Sequence, residues 1–581
     1  MIRARRLLLA FSALMVLALL SLMGRLAWLH VGDAGEAAAR QARQSSGITV
    51  LRARRGVVAD RFERPLARSI ETLRLSIYPP NVTHLLGEAR PLEDVQATVE
   101  AITAFLAPRL GLDPVDVAQR LVGEKFSYLG EALDDPRTIE QLEAARGVTL
   151  RRLDFERGWA RRQPAGSLAG NLVGFLDHEG QAVAGLERGL DELLGGQDGQ
   201  RRHRKDVRGR AVYTADDVTV PAVDGLDVRL TLDLTLQAIV EQELLAALRE
   251  QEASGGAAVL MDPMTGDVLA LASVPGLDPG DTAQRQKDFY RHRAVEDTYA
   301  PGSTMKPLMM AAALELGLVT PSMRIDCSLG QGRFGRRTIT DTKPQERSLT
   351  PQEILIFSSN IGMANIFTRL VPVENGRDTA LMAPVHDKLL ALGLGAATGV
   401  PLPHEAPGKV SKLHEWHRNY TLVSVSFGME LAVTALQMAS ALTTLVDGRR
   451  RAPRLVDAVR EPGGAWQPAE RSLPVPVFRS AHAELVRDWM VDVLAEAQDG
   501  SPLVAGVPVA GKTGTAQDEV HRHLENHSFV ALAPADAPRL ALVFLLQHPQ
   551  HGRYSSLTTR PAALRALGRS LQYLGLTPGA P

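Results

Sequence analysis

The sequence predicts an α/β chain of the α+β kind: an antiparallel sheet flanked by helices, preceded by a mixed α/β domain and one N-terminal membrane helix. Three observations carry this. An uncharged apolar run fills Leu7 to Gly24. From Val50 to about Gly225, short strand-like runs alternate with helix-like ones. From Leu226, a long helix pattern lies between early and late strand patterns, which suggests one sheet closed by the chain's last segment. The 581 residues leave room for about three domains or two large ones.

The first element is the apolar run. Its 18 residues make about 27 Å of helix, close to the thickness of a bilayer core. Arg25 can snorkel to the headgroups, and Trp28 suits the interface. Arg3, Arg5 and Arg6 precede the span, so the positive-inside rule puts the N-terminus in the cytoplasm and the bulk outside. A cleaved signal peptide has a shorter apolar region with small residues close behind it. The nearest such site, Ala37-Ala38-Ala39, lies too far downstream, so an anchor is expected.

Residues 32–50 are polar and alanine-rich and read as a juxtamembrane helix or stalk. Leu73–Tyr78 reads as a strand, Leu92–Leu106 as a helix, and the charged run Arg201–Arg210 as an exposed loop. Val228–Leu232 is a strand candidate. Asp233–Glu250 is a helix with Leu236, Ile239, Val240, Leu244 and Leu245 as its apolar positions. Ala257–Met261 and Asp267–Val274 form a hairpin around Asp262-Pro263-Met264-Thr265-Gly266. Ser528–Ala533 and Leu540–Gln547 are two more strands, and a helix follows from about Pro561 to Leu574.

Composition is ordinary for a globular protein, with a net charge of -1, so no nucleic-acid partner is expected. The single cysteine, Cys327, excludes an intrachain disulfide and makes a cysteine metal site improbable. Only nine of the 65 basic residues are lysines.

Two of those lysines fall in motifs. Ser303-Thr304-Met305-Lys306 follows Ala300-Pro301-Gly302 and precedes the mostly apolar Leu308–Leu318, a helix-start signal. On a helix, positions i and i+3 share a face, so Lys306 can reach the Ser303 hydroxyl. An amine in a low-dielectric cleft loses pKa and can accept the serine proton. Ser358-Ser359-Asn360 lies between helix-like Leu349–Phe357 and Ile361–Leu370, where a hydroxyl and an amide can relay a proton and hold a peptide carbonyl. Taken singly, its bland reading is a helix N-cap. Lys512-Thr513-Gly514-Thr515 follows strand-like Val507–Ala510. Gly514 permits close backbone approach, and Lys512 offers positive charge to a carboxylate and to the serine network.

Each motif is weak alone, but their order and spacing are specific. Ser303 and Ser358 lie 55 residues apart, and Lys512 follows Ser358 by 154. This is the signature set of penicillin-binding proteins and serine β-lactamases, and the long second gap resembles the large transpeptidases. The histidines His521, His523 and His527, and the group His414-Glu415-Trp416-His417, fit no helical pair with a clear third ligand, so no metal and no cofactor are expected.

The chain resembles class B, monofunctional penicillin-binding proteins along nearly its whole length. Arg54-Arg55-Gly56-Val57-Val58-Ala59-Asp60-Arg61 with Pro65-Leu66-Ala67 is similar to the family's pedestal opening. Gly185-Leu186-Glu187 is similar to its second pedestal motif, and Leu230-Thr231-Leu232-Asp233 with Gln237 to the entry of its transpeptidase domain. Gly24–Leu29, Ser358–Gly362, and Ser426-Phe427-Gly428 with Val433–Gln437 look like the cell-division members, penicillin-binding protein 3. The chain departs from the pattern at Gln163-Pro164, where Tyr-Pro is usual, and at Glu430, where a second glycine is usual.

The resemblance implies a cytoplasmic tail over 1–6, a membrane helix over 7–31, a pedestal (dimerisation-like) domain over 32–225 and a transpeptidase domain over 226–581. It implies a peptidoglycan DD-transpeptidase of the inner membrane, serving septal wall synthesis. Ser303 would be acylated by the D-Ala-D-Ala of a stem peptide, with Lys306 as base. The N–H groups of Ser303 and Thr515 would form an oxyanion hole. Ser358 and Lys512 would return the proton to leaving D-alanine, Asn360 would orient the donor, and Thr513 and Thr515 would face its carboxylate. β-Lactams would trap Ser303. The implied partners are a multi-span glycosyltransferase and other division proteins. A DD-carboxypeptidase or β-lactamase, or a non-catalytic scaffold or sensor, are the rival readings. The large pedestal and the complete motif set favour the transpeptidase.

Overall fold

A computed structural model describes residues 2–31, 46–77, 92–123, 125–147, 149–150, 153–205, 211–212, 219–372, 375–497, 501, 503–518, 521 and 523–578. The chain divides into two compact units, residues 1–54 with 195–225, and residues 55–194 with 226–581.

In the first unit, a helix spans Ile2–Val31. Its stretch Leu7–Trp28 is long and apolar enough to cross a membrane and is exposed throughout, which fits a single-pass anchor. Most of the juxtamembrane stretch, residues 32–45, lies outside the described residues. Ser46–Leu51 then pairs antiparallel with Gly199–Lys205 in a four-stranded sheet. The charged run therefore begins as a strand and not as a loop; residues 206–210 lie outside the described residues. Local propensity could not show this, because the strand exists through its partner.

The second unit opens with a seven-stranded sheet in which Val58–Ala59 lies parallel to Asp227–Leu230 and antiparallel to Pro65–Ile77. Leu73, Leu75 and Ile77 pack on helices Leu92–Leu110, Pro114–Val122 and Pro136–Ala145. Tyr78, expected in this strand, lies outside the described residues. The family-like pedestal residues meet in a buried ion network. Glu187 is fully buried, and its carboxylate accepts from Arg55 and, at 2.7 Å, from Arg161. Arg55 also pairs with Asp191, and Arg161 donates to the Gly56 carbonyl at 2.7 Å. Nearby, Gln163 donates to the Gly174 carbonyl at 2.6 Å, a use for the glutamine that replaces the usual tyrosine.

A second sheet is antiparallel and five-stranded, in the order Val268–Val274, Gly255–Met261, Leu540–Gln547, Glu525–Ala533, Ala510–Gln517. Strands Gly255–Met261 and Leu540–Gln547 are apolar on both faces, except at Gln547, because both faces are covered, whereas Glu525–Ala533 opens with the polar Glu525, Asn526, His527 and Ser528. On one face Ala258, Leu260, Phe529, Leu542 and Phe544 meet helices Leu234–Glu250 and Thr559–Tyr573. On the other, Ala257, Val259, Val530, Val543 and Leu545 share a core with the helical layer around Lys306–Glu315. Asp233 caps the first helix, accepting from Thr235 N at 2.9 Å. Gln237 pins that helix to the sheet, exchanging hydrogen bonds with Leu271 N (2.7 Å) and Leu271 O (3.0 Å).

Replacing Glu187 by Ala would take this buried anion from both Arg55 and Arg161, leaving Arg55 with Asp191 alone. Denaturant unfolding of the full chain in detergent should show a loss of about 3–5 kcal/mol. A loss below about 1 kcal/mol would mean that the network is not structural.

Candidate active site

The site lies where the 510–517 edge strand meets the helical layer. Gly302–Met305 forms one 3₁₀ turn that continues directly into helix Lys306–Glu315. With three residues per turn, positions i and i+3 eclipse, so Ser303 and Lys306 project to one side. The turn is backed by Gly428, whose carbonyl accepts from Gly302 N at 2.9 Å. Gly428 has φ of +81°, and a Cβ there would fall 2.1 Å from the Gly302 oxygen, so only glycine fits.

Helix Lys306–Glu315 is apolar on all sides and buried along residues 306–314. Its first residue is therefore an amine enclosed in protein. Lys306 Nζ donates to the Ser358 carbonyl and to Asn360 Oδ1 at 2.7 Å, and lies 3.2 Å from Ser358 Oγ. Ser358 Oγ in turn lies 3.1 Å from Ser303 Oγ. Among the described residues, Ser358 bridges the amine and the first serine, and no direct hydrogen bond joins Lys306 to Ser303. The expected Ser303–Lys306 approach is thus relayed, because carbonyl and amide oxygens already occupy the amine.

Burial holds the Lys306 amine well below its ordinary pKa, and the like charge of Lys512 pushes the same way. Asp341 opposes them and does not prevail. The further that pKa falls, the more readily the amine carries the free lone pair that a base needs.

Ser358 sits in the tight turn between helices Pro351–Ile356 and Asn360–Thr368, with φ of +56°. A non-glycine residue in this conformation stores strain that its surroundings must balance. Ser359 does so as N-cap, accepting from Gly362 N at 2.9 Å. Asp341, unnoticed in the sequence, is the other restraint. Its buried carboxylate accepts from Asn360 N at 2.6 Å, Ile361 N at 3.1 Å and the Ser359 hydroxyl. An anion at a helix N-terminus is favoured there. Asn360 is fixed at both ends of its amide, by Lys306 and by donation to Thr340 O at 3.1 Å.

Lys512-Thr513-Gly514-Thr515 lies within the edge strand, not after a strand as the sequence suggests. A Cβ on Gly514 would come within 2.9 Å of Pro301 O and of Thr304, and 2.8 Å of Ser528 Oγ. The strand therefore presses on the Ser303 turn through a glycine. Lys512 is buried beside it, and burial together with the charge of Lys343 lowers its pKa to about 8. Thr513 and Thr515 alternate onto the face opposite Lys512 and Gly514, half-buried, and the Thr515 hydroxyl accepts from Ser555 N at 3.1 Å. The structure thus brings the three motifs together where the edge strand meets the Ser303 turn. His527 is buried in the neighbouring strand, and His414 lies apart on an exposed turn.

A hydroxyl joined to a buried amine of lowered pKa, beside an edge strand carrying a cation and hydroxyls, is suited to acyl transfer from a carboxylated peptide-like substrate. Residues 256–567 match the penicillin binding protein transpeptidase domain, and residues 50–230 the penicillin-binding protein dimerisation domain. The chain belongs to the penicillin-binding protein transpeptidase family. It is 30% identical to a probable peptidoglycan D,D-transpeptidase, PenA, of Neisseria meningitidis, over 91% of this chain and 86% of that one. It is 29% identical to the peptidoglycan D,D-transpeptidase FtsI of Escherichia coli, over 97% and 91%. Among solved structures it is similar to penicillin binding protein 3 of Mycobacterium tuberculosis complexed with aztreonam, at 26% identity and a TM-score of 0.66, covering 92% of this chain and 99% of that one.

With nine lysines, carbon-13 NMR of labelled lysine side chains can follow Lys512 directly. It should titrate near pH 8. Because Lys343 is a like charge, Lys343→Gln should move that titration upward. A downward shift, or none, would contradict the coupling.

Proposed function

We propose that this chain is a peptidoglycan DD-transpeptidase that cross-links stem peptides through an acyl-enzyme on Ser303. The single observation that carries the reading is the bridge from the buried Lys306 amine through Ser358 to Ser303, 3.1 Å away, beside the Lys-Thr-Gly strand.

In this reading the donor peptide lies along the open edge of the 510–517 strand, adding to the sheet as an extended peptide does. Its terminal carboxylate meets Lys512 and the hydroxyls of Thr513 and Thr515. Its penultimate D-alanine carbonyl sits at Ser303, with the N–H groups of Ser303 and Thr515 as oxyanion donors. Ser303 Oγ attacks as its proton passes by way of Ser358 to Lys306. The C–N bond breaks, the proton returns to leaving D-alanine through Ser358 and Lys512, and an acyl ester remains. Asn360, held by Lys306 and Thr340, offers its amide to the donor backbone. An amine from a neighbouring stem peptide then attacks the ester and releases Ser303. β-Lactams acylate the same serine.

The reading extends to place. The Ile2–Val31 helix anchors the chain in the inner membrane with its N-terminus cytoplasmic, supported by the arginines that precede the apolar run. Residues 1–6 form the tail, 32–225 the pedestal and 226–581 the transpeptidase domain, supported by family matches over 50–230 and 256–567. The work is septal, supported by the likeness to FtsI, with a multi-span glycosyltransferase and other division proteins as partners.

The full chain in detergent, incubated with a fluorescent penicillin, should take up about one label per chain. Ser303→Ala should abolish the label, since the nucleophile itself is removed. Rapid loss of label would favour a β-lactamase, and no labelling of folded chain would sink the enzymatic reading.

A further inference from the structure

His527 stands directly across the strand pair from Thr515 in the sheet register. Cross-strand partners share a face, so the imidazole sits beside the threonine, on the face of the sheet that meets helix Thr559–Tyr573. It is almost wholly buried, and burial lowers its pKa, which keeps the ring neutral. Its Nε2 lies 3.5 Å from Glu525 Oε2, and its Nδ1 lies 2.7 Å from the Thr558 hydroxyl. A neutral ring with its proton on Nε2, toward the carboxylate, has Nδ1 free to accept from Thr558.

Thr558 ends the turn that carries Ser555, just before helix Thr559–Tyr573. The turn is tied on its other side, where Ser555 O accepts from Arg560 N at 2.9 Å and from the Thr559 hydroxyl at 3.1 Å. What it presents to the site is one group, the Ser555 N–H, donated to the Thr515 hydroxyl at 3.1 Å. A hydroxyl that accepts there has its own proton directed elsewhere. In the reading of Thr515 as a carboxylate contact, that direction is toward the ligand carboxylate.

We propose that His527 is a positioning residue for carboxylate recognition: through Thr558 it sets the turn whose Ser555 N–H orients the Thr515 hydroxyl toward the substrate's terminal carboxylate. The inference rests on the reading of Ser303 as the nucleophile and of Thr515 as a carboxylate contact. It adds a specificity relay lying outside the three motifs, from Glu525 to His527, Thr558, Ser555 and Thr515.

The test compares two probes on the full chain in detergent. A fluorescent penicillin carries the carboxylate. An N-acylated boronic acid analogue of D-alanine offers Ser303 an electrophile without one. His527→Ala and Thr558→Val should each slow penicillin acylation about tenfold, the scale of one misplaced charge-assisted hydrogen bond. Boronate affinity should stay within about twofold. The double variant should be no worse than either single one, because both act in one relay, and Thr558→Ser should retain wild-type behaviour. Unchanged penicillin acylation, or equal loss with both probes, would overturn the proposal, the second by showing a merely structural role. A wild-type chain that binds neither probe would overturn the Ser303 reading and this inference with it.

Discussion

Enclosing the Lys306 amine is the constraint on which the rest of the site depends. A lysine at the first position of a wholly apolar helix costs several kcal/mol if charged and unpaired. Among the described residues no carboxylate lies within ion-pair distance of it. The structure resolves this by satisfying the amine with neutral oxygens, from Ser358 and Asn360, and by letting its pKa fall. Those oxygens must then be held, and this explains the strained φ of Ser358, the Ser359 cap and the Asp341 carboxylate behind them. Asp341 serves the helix N-terminus at close range while acting on Lys306 only at a distance. It therefore stabilises the turn without recharging the base.

The same economy explains the two glycines. Gly428 and Gly514 let one loop and one strand close on either side of the Ser303 turn, at distances no side chain would allow. The nucleophile's turn is thus fixed by backbone contacts, and the motif side chains remain free for chemistry. Farther off, the buried Glu187 ties Arg55 to Arg161 and so binds the first strand of the seven-stranded sheet to the segment around residue 187. At Glu430, where the family usually has glycine, the chain takes φ of +58°, and the carboxylate accepts from Ser424 at 2.7 Å and pairs with Arg337. That departure is accommodated locally.

Elements with strong periodicity or unbroken apolarity were legible in the sequence: Leu540–Gln547, the hairpin around Gly266 and the helix from Leu234. So were the motif residues, whose spacing is chemical and survives any uncertainty in secondary structure. What the sequence hid is long-range. Asp341 lies 18 residues before Ser359 with no periodic signal to link them. The strand Gly199–Lys205 is rich in arginine and exists only because Ser46–Leu51 pairs with it. The parallel pairing of Val58–Ala59 with Asp227–Leu230 joins segments about 170 residues apart. His527 looked like one member of a loop histidine cluster, because its burial follows from strand register alone.

The most direct test is the pH dependence of single-turnover penicillin acylation of the full chain. A buried Lys306, its pKa held well below the ordinary lysine value, predicts that the rate climbs its acid limb and reaches its plateau well below pH 10.5. The amine would then already be unprotonated far below the ordinary lysine value of 10.5. A rate still rising tenfold per unit through pH 9 and beyond would mean that Lys306 is charged at rest, and would contradict the account.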